Sequence, residues 1–180
     1  METEIRKLFV DQLKDIYSAE KQALRLMQRS IRKVSNGMLK EGMTMHVDQT
    51  QAQIERVEQA MEQLGARPGR KVCEAMRGLV EEATHEMEEY EKGPILDLAI
   101  IASQQRVEHY EIAAYGMAGA LAKALGEQKI ADLLAETLEE EKQADLKLTE
   151  VTQTAVLPEA MGGAMPAAND TKAAPKRRAS

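Results

Sequence analysis

Only two prolines, Pro68 and Pro94, fall between Met1 and Leu157. Proline breaks a helix interior, so the long intervals between Pro68, Pro94 and Pro158 are free to be helical. Apolar residues recur inside them three and four positions apart, and no segment alternates as a half-buried strand would. Turn residues divide the intervals further. α1 is predicted over roughly 2–34, ending at "SNG", where Asn36 and Gly37 suit a helix stop. α2 follows over roughly 38–64 and stops at "LGARPG"; α3 takes roughly 71–91 and stops at "KGP". α4 starts near Pro94, a residue tolerated in a first helical turn, and ends at Leu125–Gly126. α5 runs over roughly 127–155. From Pro158 on, "PEAMGGAMPAANDTKAAPKRRAS" has no period and is rich in Ala, Gly and Pro. The expected division is therefore a helical domain over 1–157 and a disordered tail over 158–180. The tail's "KRR" could touch an acidic partner, but a solubilising tail is the simpler reading.

Loop lengths set the topology. Short turns join α1 to α2 and α4 to α5, so each pair is an antiparallel hairpin. A long connection with its own helix, α3, joins the hairpins. Two hairpins and one long crossover is the arrangement of a ferritin-like four-helix bundle, and the expected fold class is all-α.

Composition agrees and excludes other classes. Aromatic residues are only 3% and there is no Trp, so Leu, Ile, Val, Ala and eleven Met must build the core, a mix that suits helices better than sheets. The net charge of −6 argues against nucleic acid as a partner. Cys73 is the single cysteine, so no internal disulfide can form, as in a reducing compartment. "METEIRKLF" has no apolar run of the signal-peptide kind, and no stretch reaches the roughly 20 apolar residues of a membrane span. A cytoplasmic protein without membrane contact is the expectation.

Each bundle helix carries a polar intruder on its apolar stripe. The α1 stripe is Phe9, Leu13, Ile16, Glu20, Leu24, Met27, Ile31, Val34. The α2 stripe is Leu39, Met43, His46, Thr50, Ile54, Val57, Met61, Leu64, with Gln49 flanking His46 one turn on. In α4 it is Ile101, Glu108, Glu111, Tyr115, Ala118, Ala122. In α5 it is Ile130, Leu133, Thr137, Glu140, Ala144, Leu148, Val151, with Glu141 close by. Residues facing each other across a hairpin lie equally far from its turn. Glu20 and Gln49 lie about 16 and 13 residues from the first turn, and Glu111 and Glu140 about 15 and 14 from the second, so all four share a level within about 5 Å.

Four buried carboxylates at one level cannot stay bare, because each unpaired charge costs several kcal/mol. The stripes offer no Lys or Arg there. Two divalent cations would balance Glu20, Glu108, Glu111 and Glu140, with His46 as a neutral nitrogen ligand. Inward Glu and His at i, i+3 spacing build di-iron and di-manganese bundles, and oxygen-rich ligation with some imidazole suits iron or manganese. Each residue has a plainer reading alone: a Glu at a stripe edge reaching water, a satisfied core histidine, a solvated Glu139–Glu141 run. The coincidence on four helices favours metal. His85 lies on the crossover, and His109 is rotated about 100° from Glu108, so neither is counted. Cys73 reads as a small buried hydrophobe and the methionines as core filler.

"LFVDQLKDIYSAEKQ", "QIERVEQ", "KVCEAMRGLVEEA", "RVEHYEIAAYG" and "ETLEEEKQADLKLT" resemble the YciE/YciF family of ferritin-like proteins, on its YciF branch. The resemblance covers residues from about 5 to 155. It implies a ferritin-like bundle, generally a dimer, linked to bacterial stress responses, with a dinuclear metal site inferred by similarity to rubrerythrin and bacterioferritin. Position by position, the family pattern marks Glu20, His46, Glu108, Glu111 and Glu140. Two positions depart from it. The family reads "HLEET" or "HLSET" where this chain has "HVDQT", so Gln49 stands at the place of a second α2 ligand. Ferritins carry a histidine three residues after the α5 glutamate, where this chain has Gln143.

Two functions follow as expectations. One is a stress protein whose metal pair acts on peroxide or dioxygen, or oxidises Fe(II). The other is a non-catalytic helical stress protein with a degenerate site, acting through dimerisation or partner binding. A cage-forming store is a third, weaker option.

Overall fold

The computed structural model describes residues 1–163, which are helical throughout apart from their connections. α1 spans Glu2–Ser30, α2 Gly37–Gln63, α3 Glu74–Glu89, α4 Pro94–Ala124 and α5 Gln128–Val151. Pro94 occupies the first turn of α4. The α1–α2 turn is closed by Asn36, whose side chain accepts from the Leu39 N–H and caps α2. Gly65 and Gly126, at φ of 66° and 74°, supply the left-handed residues just past the ends of α2 and α4.

α1 packs beside α2 and α4, and α5 completes the square by packing beside α2 and α4. Two contacts fix the direction of α4. Arg6 reaches Glu127 at one end of α1, and the Asn36 N–H reaches Asp97 at the other, so α4 runs antiparallel to α1. α2 and α4 therefore run the same way. A short turn cannot join two helices that run the same way, and α3 carries the chain back along α1 and α4. This is the ferritin-like arrangement of two antiparallel hairpins and one crossover.

The helix continues past its expected end near residue 155. Residues Thr152–Val156 form one π-helical turn, and α6 spans Leu157–Ala160. Pro158 explains the π turn. It has no N–H to give to the carbonyl of residue 154, and its ring would press on that carbonyl; a wider turn relieves both. Glu159 then accepts from the Asn36 side chain at 2.9 Å, which ties α6 to the first interhelical turn. The expected boundary at 157/158 thus falls inside ordered helix. The remainder of the expected tail, including "KRR", lies outside the described residues.

The apolar core is cut in two. One half gathers Ala23, Leu26, Met27, Leu39, Met43, Ile100, Leu148 and Val151. The other gathers Phe9, Leu13, Ile16, Val57, Met61, Tyr115, Ile130 and Leu134. Between the two halves the bundle is filled by buried polar side chains.

Candidate metal centre

Each bundle helix supplies that polar layer from its inward face. Glu20 comes from α1; His46, Thr50 and Gln53 from α2; Gln104, Glu108 and Glu111 from α4; Thr137 and Glu141 from α5; all are buried. Of the residues expected here, Glu20, His46, Glu108 and Glu111 lie where the stripes put them. Glu140 and Gln49 do not.

Glu140 sits half-buried at the edge of the layer, turned to a partner on α2. Arg56, from the flank of α2, holds it in two bonds of 2.7 and 2.8 Å, and Gln53 donates to it at 3.0 Å. Arg56 lies beside the apolar stripe of α2, not on it, and reaches the same level from there, so the stripes alone do not reveal it. Glu141 takes the inward place. The α5 stripe is Ile130, Leu134, Thr137, Glu141, Leu148, Val151 rather than the one running through Leu133 and Glu140. Counting back by sevens from Leu148 gives Glu141 and Leu134, and this signal was present in the sequence.

Gln49 is exposed at the side of His46, where its Oε1 lies 3.2 Å from Nδ1. An i, i+3 neighbour on a helix sits on the adjoining flank, and Gln49 touches the ring from there. The other ring nitrogen faces the layer. His46 Nε2 lies 3.3 Å from Glu108 and 3.5 Å from Glu141. Ligand-type atoms of His46, Glu108 and Glu141 all fall within 4.8 Å of one another. Around them, Gln104 donates to Glu108 at 2.6 Å and the Tyr115 hydroxyl donates to Glu20 at 2.5 Å. His85 and His109 are exposed, away from the layer.

The electrostatics are those of too many carboxylates in too little water. Burial pushes the Glu20 carboxyl up to about 7, against the hydrogen bond from Tyr115. Burial, with the neighbouring Glu20 and Glu108 charges, lifts Glu111 well above the carboxylate range. Burial, with the Glu111, Glu108 and Glu20 charges, lifts Glu141 in the same way. Glu108 is the exception. Burial raises it, but the His46 charge and the hydrogen bond from Gln104 outweigh burial and hold it low. Burial pulls the imidazole of His46 down, yet the Glu108 charge prevails and raises it to about 9. Without a metal the layer therefore holds one internal ion pair, His46 with Glu108, amid carboxyls whose burial favours the protonated form.

Five buried carboxylate oxygens have no hydrogen-bond partner: Glu20 Oε2, Glu108 Oε2, Glu111 Oε1 and both oxygens of Glu141. Gln53 Oε1 is a sixth orphan acceptor. Buried acceptors are nearly always satisfied, and once ionised these carboxylates have only acceptors to spare, which fits a cation. The donor set, oxygen-rich with one imidazole, fits iron or manganese.

Cys73 is buried as expected but is also polar in its contacts. Its Sγ caps α3 by accepting from the Met76 N–H at 3.4 Å, and it lies 3.0 Å from the Tyr110 hydroxyl.

A family profile described as a domain of unknown function (DUF892) matches residues 4–161. Protein YciF of Escherichia coli strain K12 is 46% identical over 148 residues, 82% of this chain and 89% of that protein. The crystal structure of the E. coli stress protein YciF superposes with a TM-score of 0.80 at 43% identity, over 87% of this chain and 97% of that one. At 15% identity, a dodecameric thioferritin, the bacterioferritin-related protein of Bacteroides fragilis, superposes with a TM-score of 0.66 over 86% of this chain and 90% of its own, a likeness of fold alone. The chain therefore belongs to the DUF892 family, as a ferritin-like homologue of the stress protein YciF.

Proposed function

We propose that the polar layer holds a pair of divalent metal ions, iron or manganese, and that the protein uses them against an oxidant. The observation that carries this reading is the set of five partnerless carboxylate oxygens contributed by Glu20, Glu108, Glu111 and Glu141. Four carboxylates balance two divalent charges, and His46 adds a nitrogen. Bound iron or manganese would supply one-electron redox chemistry toward peroxide or dioxygen, or the oxidation of Fe(II). The chain's own residues prepare the place. Tyr115 fixes the orientation of Glu20, and Gln104 that of Glu108. Gln49 Oε1 accepts a hydrogen bond from the Nδ1–H of His46, which turns Nε2 toward Glu108 and Glu141. Arg56 holds Glu140 at the edge of the layer. A homodimer, as the resemblance implies, is the assembly we carry into this reading.

The test is anaerobic loading with Fe(II) or Mn(II), dialysis, and metal counting. Two ions per chain, falling in Glu111→Ala and in Glu141→Ala, is the expected result. A second reading has its own observation in its favour: the His46–Glu108 pair and the protonated carboxyls make the layer electrically tolerable without metal. The layer would then serve to fix one packing of the bundle, as buried polar groups do in some proteins. No retained metal under any loading condition selects this second reading.

A further inference from the structure

A cavity of about 310 Å³ opens between α2 and α5 and ends on the polar layer. Its floor is His46, Glu108 and Gln104; its walls are apolar and unusually rich in methionine, with Met27, Met38, Met43 and Met45 of the chain's eleven. Metal ions alone do not call for such a passage. A hydrated cation gains nothing from apolar walls, whereas a small organic molecule does, and the volume lies at the lower end of the roughly 300–1,000 Å³ of small-molecule sites.

The charges on the lining decide what kind of molecule. Each one is already paired: Glu140 with Arg56, Lys147 with Glu150 at 2.8 Å, and Glu108 with His46. No free cation on the lining waits for an acid, and the one open carboxylate oxygen on the floor, Glu108 Oε2, can accept from a hydroxyl. The other polar groups left for a ligand on the floor and flank are amides, Gln104 and Gln49, and the imidazole edge. The methionine walls are adaptable and soft, suited to a flexible alkyl chain. We propose that this cavity is the binding site for an uncharged alkyl molecule with a terminal oxygen group, and that under the function proposed above its occupant is an alkyl hydroperoxide rather than a metal ion or hydrogen peroxide alone. The oxygen end meets the floor and the alkyl chain lies along Met27, Met38, Met43 and Met45. A second copy of the chain is a worse fit, because the cavity runs inward to Glu108, a fully buried side chain that a helix surface cannot reach.

Gly42 gives a clean way to close it. It lines the cavity inside α2, its φ is unstrained, and a Cβ built on it meets nothing within 4 Å. A leucine there enters the open space and replaces a helix-interior glycine with a better helix former.

The experiment uses metal-free protein labelled with 13C at the methionine methyl groups and titrated with 1-octanol, an unreactive stand-in. Running it without metal separates its failure from failure of the metal reading. Saturable shifts of Met27, Met38, Met43 and Met45, with the other assigned methyls unmoved, are expected. Octanoate should bind at least tenfold more weakly, because its carboxylate would face Glu108. Gly42→Leu should abolish the octanol shifts without lowering the melting temperature. Three results overturn the proposal: shifts spread over all exposed methionines, shifts that survive in Gly42→Leu, or shifts of Met38 and Met45 produced by protein concentration alone, which would give the surface to a second copy.

Discussion

Neighbouring glutamates with opposite fates show what decides the site at the scale of one residue. Glu140 and Glu141 differ by one position and about 100° of helix rotation. Glu140 finds Arg56, and its pKa is held low by that pair against the pull of burial. Glu141 finds Glu108 and the interior. Glu141→Ala should abolish metal retention and leave the metal-free protein as stable or more so, since a buried carboxyl is removed. Glu140→Ala should keep metal but lose stability, because Arg56 is left partly buried without its bidentate partner. Metal counts and urea melts on both variants check this; equal metal loss in the two would defeat the assignment of Glu141. Gln49 acts through His46. Gln49→Leu removes the acceptor for the Nδ1 proton and should weaken metal binding about 10- to 100-fold, the usual size for such a supporting contact. Gln49→Glu should recover it. Competition against a chelator of known affinity reads both.

At the scale of the element, the order of five helices and the turns between them are legible because the breakers are few and each turn carries its own chemistry. Asn36 caps α2, Gly65 and Gly126 end α2 and α4, and Pro94 starts α4. The rotation of α5 was not read correctly. A stripe through Leu133 and Glu140 needs two successive spacings of four, whereas the stripe through Leu134 and Glu141 steps by four, three and four and then by one whole heptad to Leu148. The second is what a helix facing one neighbour at a shallow angle requires. Tertiary partners outside the stripes, Arg56 above all, leave no mark on the apolar faces. The end of α5 was also misjudged, because Pro158 was taken as a stop when the helix absorbs it in a π turn. Asp97 was missed for a similar reason. It lies fully buried in the first turn of α4 and accepts the Ser35 and Asn36 N–H groups at 2.9 and 2.8 Å. Nothing local marks it; its role exists only once the α1–α2 turn is folded against α4. Asp97→Ala leaves those donors without an acceptor at a cost of about 2 kcal/mol or more. In a chain of this size that lowers the melting temperature by roughly 4–8 °C. A thermal melt shows it, and an unchanged midpoint would mean that water replaces the carboxylate.

The whole molecule carries the cost of a polar layer between two apolar half-cores, and that cost depends on pH. In the metal-free protein, Glu20 keeps its proton to about 7, whereas the unfolded chain releases it near 4.5. A raised carboxyl favours folding only while protonated, so its contribution is present below 4.5 and declines as pH rises toward 7. Glu111 and Glu141, both raised, act in the same direction. His46, raised from 6.5 to about 9, adds stability that is complete below 6.5 and lost as pH climbs through 9. Glu108 and Glu140, held low, work oppositely and lose their contribution only in acid. The metal-free melting temperature should therefore peak in mildly acidic solution and fall steadily from about pH 6 to 9. Metal reverses the slope. Its ligands must be deprotonated, so its binding releases protons and strengthens as pH rises. At a free ion concentration about 100 times Kd, metal adds roughly 2.7 kcal/mol, or about 5–10 °C. Melts from pH 6 to 9, with chelator and with anaerobic Mn(II), should start close together and diverge toward the alkaline end. Parallel curves would show that the layer takes no metal and that its protons alone keep the two half-cores apart.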